Sequence, residues 1–245
     1  MGSESTIYAY AEGSKDYAVN FAGLTQRAGN FLVAREKIDN FSWDMVKGKN
    51  VLGGRKGGMP QMVLEYILKA NNIDPASDLS IDQSVDFGLT AGAFSGNTEY
   101  DFTVEFEPGA TNLEKEGSGY VVASLGVDSG YVPYTAFSAK ESYIKKHPEL
   151  IQSFTNALQK GMTYVNNHSA AEIAKVIAPQ FKDTDEATIA MIVERYQKQD
   201  TWKDDLVFTK DSYELLLDIL EEAGVLTDRP PYQDLITTTY AKEAR

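Results

Sequence analysis

The pattern of apolar and polar residues along the chain predicts an α/β protein organised around a strand, a glycine-rich loop and a helix at 51–68. A short apolar run ends at Leu52, and apolar residues recur from Pro60 onward at the spacing of an amphipathic helix. Proline suits the first helical turn, where its missing N–H is not needed. The loop carries four glycines with Arg55 and Lys56 and leads into a helix N-terminus, which favours an anion or a ligand carbonyl. A tight turn with two solvated cations is the alternative interpretation.

The alternation of strands and helices continues after this helix and predicts a small open sheet with helices on its faces. Ligand crevices of such sheets lie beyond the carboxyl ends of the strands, so the loops at 53–59 and 105–108 should line the same edge. Phe102, Val104 and Phe106 should share one face of the strand before Pro108, with Thr103, Glu105 and Glu107 on the other. The predicted strands are 79–84, 101–106 and 120–125, and the predicted helices are 87–94 and 110–115.

The flanking segments are predicted to form the rest of the core. Residues 17–24 and 30–34 are expected to be strands joined by a turn, and the polar segment 36–49 is the best candidate for a link into a second lobe. Residues 5–11 fit either a strand end or the first turn of a helix. After an extended segment at 132–139 the chain is expected to be helical from Pro148.

The predicted C-terminal helices carry recognisable start and stop signals. An apolar stripe from Leu150 to Val165 is predicted to be core, and its members are Leu150, Ile151, Phe154, Ala157, Leu158, Met162 and Val165. Ser169 with Glu172 predicts a capping box for a helix that stops at Pro179, and Asp183 with Glu186 can start another. A last helix over 211–223 should end at Gly224.

Composition excludes several classes of function. The 245 residues, 42% hydrophobic, can form one or two domains, and a net charge of -13 opposes binding to nucleic acid or anionic lipid. The absence of cysteine excludes disulfides, thiolate metal sites and cysteine nucleophiles. His147 and His168 precede predicted helix starts, where surface or capping roles are expected. Met59 and Pro60 stand where a phosphate-binding loop needs Lys and Ser or Thr, and no dinucleotide fingerprint follows a strand.

Four motifs occur in order along the chain: GGRKGGMP, VEFEP, GYVPYTAFSAKESYIKKHPELIQSF and RYQKQDTW. Together they resemble the ABC-transporter substrate-binding proteins of the sulfonate, taurine, nitrate and thiamine-precursor group, which are related to thiamine pyrimidine synthase. The resemblance implies a two-lobed, periplasmic-binding-protein-like (type II) α/β fold with a ligand cleft between the lobes. It implies that 1–35 and 126–245 form lobe one and that 36–125 form an inserted lobe two.

The resemblance also implies a cellular location and binding partners for the protein. Family members start with a signal peptide or lipid-anchored cysteine, whereas this sequence starts at a ligand loop. A family member shortened at its N-terminus, with lobe one incomplete, is therefore expected. The full-length protein is expected outside the cytoplasm, in the periplasm or anchored at the cell surface. It should be a monomer that binds a small molecule and meets ABC permease subunits, with no nucleic-acid partner.

By resemblance the protein is expected to be a solute-binding component and not an enzyme, with no catalytic residue, cofactor or metal. Alternatives are an enzyme similar to thiamine pyrimidine synthase, whose cysteine-rich iron site this chain could not supply, and a non-transport remnant or sensor. Tyr8, Tyr10, Phe87 and Tyr134 could stack on a ligand ring or belong to the core. The candidate ligand-binding residues are Ser3, Glu4, Ser5, Arg55, Gly57, Gly58, Met59, Glu105, Glu107 and Tyr134.

Overall fold

The computed structural model describes residues 1–86 and 88–245. Phe87, predicted to begin a helix and to be available for stacking, lies outside the described residues. The strands are β1 Ala18–Thr25, β2 Asn30–Ala34, β3 Asn50–Leu52, β4 Ser80–Asp82, β5 Phe102–Phe106, β6 Tyr120–Ser124 and β7 Thr135–Lys140. The α-helices are α1 Glu4–Ala11, α2 Met59–Ala70, α3 Thr90–Gly96, α4 Gly109–Lys115, α5 Leu125–Asp128, α6 Glu141–Lys146, α7 Pro148–Asn167, α8 Ala170–Ile177, α9 Glu186–Lys198, α10 Lys210–Glu222, α11 Tyr232–Leu235 and α12 Thr239–Glu243. Short 3-10 helices occupy Trp43–Val46 and Ala178–Gln180.

The strands form two sheets. Five strands lie in the order β4-β3-β5-β2-β6, and β1 pairs with β7 in a separate antiparallel sheet. In the larger sheet β3 runs parallel to both β4 and β5, whereas β2 runs antiparallel to β5 and β6. The predicted small open sheet with helices on its faces is therefore present, with β2 as an additional strand next to β5.

Residues 36–49, predicted to be a link into a second lobe, follow β2 in the larger sheet. Residues 36–49 connect β2 to β3 within one sheet, and the chain passes between the two sheets at 26–29 and again at 125–134. Residues 36–49 are polar because they form a surface loop. Trp43 holds this loop against the rest of the protein. This side chain is buried, and its Nε1 donates a hydrogen bond to Oδ2 of Asp128 at 2.9 Å. Polarity alone indicates a loop but does not tell which elements the loop joins.

One large apolar cluster connects the larger sheet to α2 and α10. Met62, Val63 and Ile67 on α2 and Leu216 and Leu220 on α10 are each no more than 1% exposed. These positions follow helical spacing, although Ala70 of the predicted α2 stripe is exposed and Gln61 of the opposite stripe is buried. Consequently, α2 starts from a rigid base at the end of the glycine-rich loop.

Several helix boundaries confirm the predictions, and others correct them. The capping box of Ser169 and Glu172 is present, and Gly224 follows α10 with a φ of 71°. The helix predicted to start near Asp183 is capped by Asp185, whose side chain accepts from the N–H of Thr188 at 3.0 Å. The ambiguous residues 5–11 belong to α1.

The apolar stripe on α7 is only partly core. Ile151 and Met162 are buried, but Leu150 is 55% and Phe154 44% exposed. The buried line packs against β1 and α12, and it is narrower than the apolar stripe in the sequence. Burial of the whole stripe was therefore a wrong prediction, since hydrophobic spacing fixes the direction of a face but not its width.

Two further observations concern the whole described chain. Over residues 1–86 and 88–245 none of the helices combines the length and the apolar character needed to cross a bilayer. In the same residues no group of three or more His, Cys, Asp or Glu side chains is arranged to hold a metal ion.

Candidate ligand-binding cleft

A cleft of about 790 Å³ lies at the carboxyl edge of the larger sheet. Its walls are the loops that follow β3 and β5, the starts of α1, α3 and α4, and the start of β7. Because β3 and β5 are adjacent and parallel, their following loops meet at one edge. The predicted convergence of the two loops is confirmed. The cleft lining is Gly2, Glu4, Gly54, Arg55, Gly58, Met59, Pro60, Gly88, Thr90, Ala91, Val104, Glu105, Phe106, Glu107, Pro108, Gly109, Asn112, Tyr134 and Thr135.

Seven of the ten candidate residues lie on this lining: Glu4, Arg55, Gly58, Met59, Glu105, Glu107 and Tyr134. Ser3, Ser5 and Gly57 do not. Ser3 is buried, and its hydroxyl donates a hydrogen bond to the carbonyl of Pro133, while the N–H of Ser5 donates to the carbonyl of Gly2 at 3.2 Å. These two serines therefore hold the start of α1 in place behind the cleft wall.

The glycine-rich loop is shaped by its own hydrogen bonds. Gly54 and Gly57 have φ of 83° and 78°, a conformation that favours glycine. The N–H of Gly57 donates to Oε1 of Gln61 at 2.8 Å, and that of Gly58 donates to the carbonyl of Arg55 at 3.2 Å. Both amides expected to hold a ligand therefore already donate hydrogen bonds, one to α2 and one within the loop. The cleft instead receives the exposed Arg55 and the N-terminus of α2 at Met59.

Glu107 lines the cleft, but its carboxylate is fully engaged by the protein. The side chain is 2% exposed, and its carboxylate accepts from Nη1 of Arg195 at 2.6 Å. It also accepts from the N–H and the hydroxyl of Thr111 at 2.9 and 3.0 Å. Arg195 forms a second ion pair with Glu114. Glu107 therefore joins α4 to α9, and a ligand amine at Glu107 would have to compete with this pairing.

The carboxyl group of Glu105 is almost completely buried at the floor of the cleft. It is 4% exposed and accepts from the hydroxyls of Thr90 at 2.9 Å and Thr103 at 2.7 Å. Burial raises the pKa of Glu105 to about 7, and the two hydrogen bonds only partly offset this rise. The polar face of β5 is thus buried, because α3 and α4 cover it.

Glu4 and Tyr134 form the opposite wall of the cleft. Tyr134 is 8% exposed, and its hydroxyl has no hydrogen-bond partner among the described residues. Oε2 of Glu4 is also buried and unpaired in that part of the chain. Burial raises the pKa of Glu4, and burial together with the charge of Glu4 raises the pKa of Tyr134 well above its ordinary value. Two polar atoms on this wall are therefore left without partners.

Sequence reasoning missed part of the lining. Thr90 and Asn112 belong to α3 and α4, and Thr135 starts β7. The rule that ligands bind beyond the carboxyl ends of strands could have identified Asn112, since it lies in the helix that follows β5. Of the other aromatic candidates, Tyr8 contacts the sulfur of Met62, and Tyr10 donates to Asp234 at 2.9 Å, both away from the cleft lining.

The model of the NMT1-like family matches residues 13–178. The chain belongs to the NMT1-like family. A curated relative named "Putative binding protein YtlA", from Bacillus subtilis (strain 168), is 45% identical over 243 residues. The match covers 99% of this NMT1-like chain and 72% of the relative.

Two solved structures show the same fold. The ligand-binding component of an ABC-type import system from Staphylococcus aureus has a TM-score of 0.75 at 16% identity, over 99% of this chain and 78% of that chain. The alkanesulfonate-binding protein SsuA from Xanthomonas axonopodis pv. citri, bound to MOPS, has a TM-score of 0.73 at 16% identity, over 97% and 79%. The expected two-lobed α/β fold of periplasmic solute-binding proteins is confirmed for this NMT1-like chain.

Proposed function

We propose that this NMT1-like protein is the solute-binding component of an ABC importer, which captures a small polar or heterocyclic nutrient and delivers it to permease subunits. It acts outside the cytoplasm as a monomer, and its role needs no catalytic residue. The observation that carries the proposal is the cleft at the sheet edge, with unpaired buried polar atoms on its wall. Its volume falls within the roughly 300–1,000 Å³ typical of small-molecule sites.

The two sheets define the lobes in this proposal. One lobe contains β1 and β7 with the C-terminal segments that pack on them, and the other contains the larger sheet. The two chain crossings at 26–29 and 125–134 then join the lobes. The cleft lies where they meet, because its walls come from the larger sheet on one side and from α1 and β7 on the other.

Two ligand types fit the walls. A sulfonate or another anion would meet Arg55 and the N-terminus of α2, where the helix dipole favours negative charge. A heterocycle of the thiamine-pyrimidine type would meet the aromatic faces of Phe106 and Tyr134, whose ring centroids are 6.1 Å apart. The first type is supported by the similar structure that is named as an alkanesulfonate-binding protein.

The proposal is tested by a thermal-shift screen of sulfonates, pyrimidines, carboxylates and amino acids, since a ligand that binds only the folded state raises its stability. The screen is repeated on Asn112→Trp, which places an indole in the cleft from an exposed position. Gln180→Trp, exposed and outside the cleft lining, is the matched control. A compound should stabilise the wild type and the control but not Asn112→Trp. Equal stabilisation of all three, or no stabilising compound, would refute the proposal.

A further inference from the structure

We propose that Glu4 and Tyr134 form a subsite for a positively charged, N–H-rich group of the ligand, such as a protonated amine, amidine or guanidine. This inference rests on the proposed function, because it assigns the chemistry of one wall of the same cleft. It assigns the recognition of a cationic group to Glu4 and not to Glu107, because the carboxylate of Glu107 is paired with Arg195.

The first argument is the state of the two side chains. Buried polar atoms in proteins almost always have hydrogen-bond partners, and an orphaned group indicates a missing ligand or water. Oε2 of Glu4 and the hydroxyl of Tyr134 are both orphaned within the described residues, and both side chains line the cleft. A carboxylate only accepts hydrogen bonds, and a phenol hydroxyl can accept as well. A group that donates several hydrogen bonds satisfies both atoms at once.

The second argument is charge. Among the described lining residues, the charged side chains are Glu4, Glu105, Glu107 and Arg55. Glu107 is paired with Arg195, and Arg55 is exposed at the rim on the glycine-rich loop. An anionic group placed against the wall of Glu4 would meet a like charge in a poorly solvated site, where the repulsion is strong. A cation placed there would meet an opposite charge instead.

The third argument is that the two side chains are fixed relative to each other. Gly2 forms an antiparallel bridge with Thr135, and the N–H of Ser3 donates to the carbonyl of Tyr134 at 3.4 Å. The carboxyl of Glu4 folds back over Gly2, where an added Cβ would lie 2.2 Å from Oε2. The start of α1 and the start of β7 therefore form one unit, and the subsite is preorganised, which lowers the cost of binding.

The test uses probes that share a benzene ring and differ in the attached group: benzamidine, benzylamine, benzoate and benzenesulfonate. Binding to the wild type, Glu4→Gln and Tyr134→Phe is measured by calorimetry, with Asn112→Trp to show that binding occurs in the cleft. Benzamidine and benzylamine should bind the wild type. Glu4→Gln should weaken them by about tenfold or more, because a hydrogen bond to a charged group is lost, and Tyr134→Phe by about threefold to tenfold.

The melting temperatures of the free variants separate recognition from folding. Glu4→Gln replaces a carboxyl group whose Oε2 is buried without a partner in the described residues, so it should melt no lower than the wild type while it binds cations more weakly. Cation binding that is equal in the wild type and Glu4→Gln would overturn the subsite. So would binding of benzenesulfonate or benzoate in the cleft without binding of either cation, an outcome that leaves the proposed function standing. If no probe binds, the subsite is rejected, and the proposed function is decided by its own screen.

Discussion

Replacement of Glu105 by glutamine should make the protein less sensitive to pH. The carboxyl is 4% exposed, and its pKa is about 7 against an ordinary value of 4.5. Between these values the folded protein keeps a proton that the unfolded chain has released. The free energy of unfolding of the wild type therefore falls as pH rises from about 4.5 to about 7, and the difference in pKa corresponds to a loss of about 3 kcal/mol.

Glutamine keeps the shape of the side chain and has no proton to release. Its amide can still pair with the hydroxyls of Thr90 and Thr103, because a hydroxyl both donates and accepts. Urea denaturation of the wild type and Glu105→Gln at pH 4 to 8 gives the difference in the free energy of unfolding. The free energy of unfolding of the variant minus that of the wild type should rise by about 3 kcal/mol from pH 4 to pH 8. The contributions from all other groups cancel in this subtraction.

The matched control is Glu116→Gln, an exposed position at the end of α4. The same measurement on this variant should show no comparable change with pH. A flat difference for Glu105→Gln between pH 5 and 8 would refute the reasoning, since it would mean that the buried carboxyl titrates as it does in the unfolded chain.

Three further substitutions test separate features of the structure. Arg55→Ala should weaken calorimetric binding of an anionic or carbonyl-bearing ligand by about 1.5 to 3 kcal/mol without lowering the melting temperature, and unchanged affinity would indicate a solvated turn residue. Ser169→Ala should cost about 1 kcal/mol in urea denaturation through loss of the capping box, and an unchanged midpoint would contradict that role. Gly126→Ala should cost about 1 to 3 kcal/mol in the same assay, because its Cβ would lie 2.2 Å from the carbonyl of Ala28. Gly161→Ala, whose Cβ meets open space in α7, is its control and should not destabilise.

Local patterns predicted the elements well because their causes are local. The helix α2, the strand β5 and the capping box of α8 each depend on residues a few positions apart. The order of strands in the larger sheet depends on pairing between distant segments. β2 lies beside β5 because residues 30–34 pair with 102–106, and nothing near Asn30 indicates this partner.

The position of the cleft was predicted from the sequence, but the contacts of its carboxyl groups were not. The rule about strand ends placed the loops after β3 and β5 together, since it needs only the order of elements. The ion pair of Glu107 with Arg195 joins residues 88 positions apart and has no signal in the sequence. The burial of Glu105 was also missed, because an alternating strand predicts two faces without showing that helices cover both.

The three carboxyl groups of the cleft show why residue type alone could not identify a recognition site. Glu107 has an arginine and a helix N–H as partners, so a ligand cation would have to compete with a bound guanidinium. Glu105 has two hydroxyl donors and a pKa of about 7, so near neutral pH much of it carries a proton. Glu4 alone among them has an oxygen that is buried, on the wall of the cleft and without a partner in the described chain. Because a buried unpaired acceptor costs free energy that a donating ligand recovers, selectivity for a cationic group should depend most strongly on Glu4.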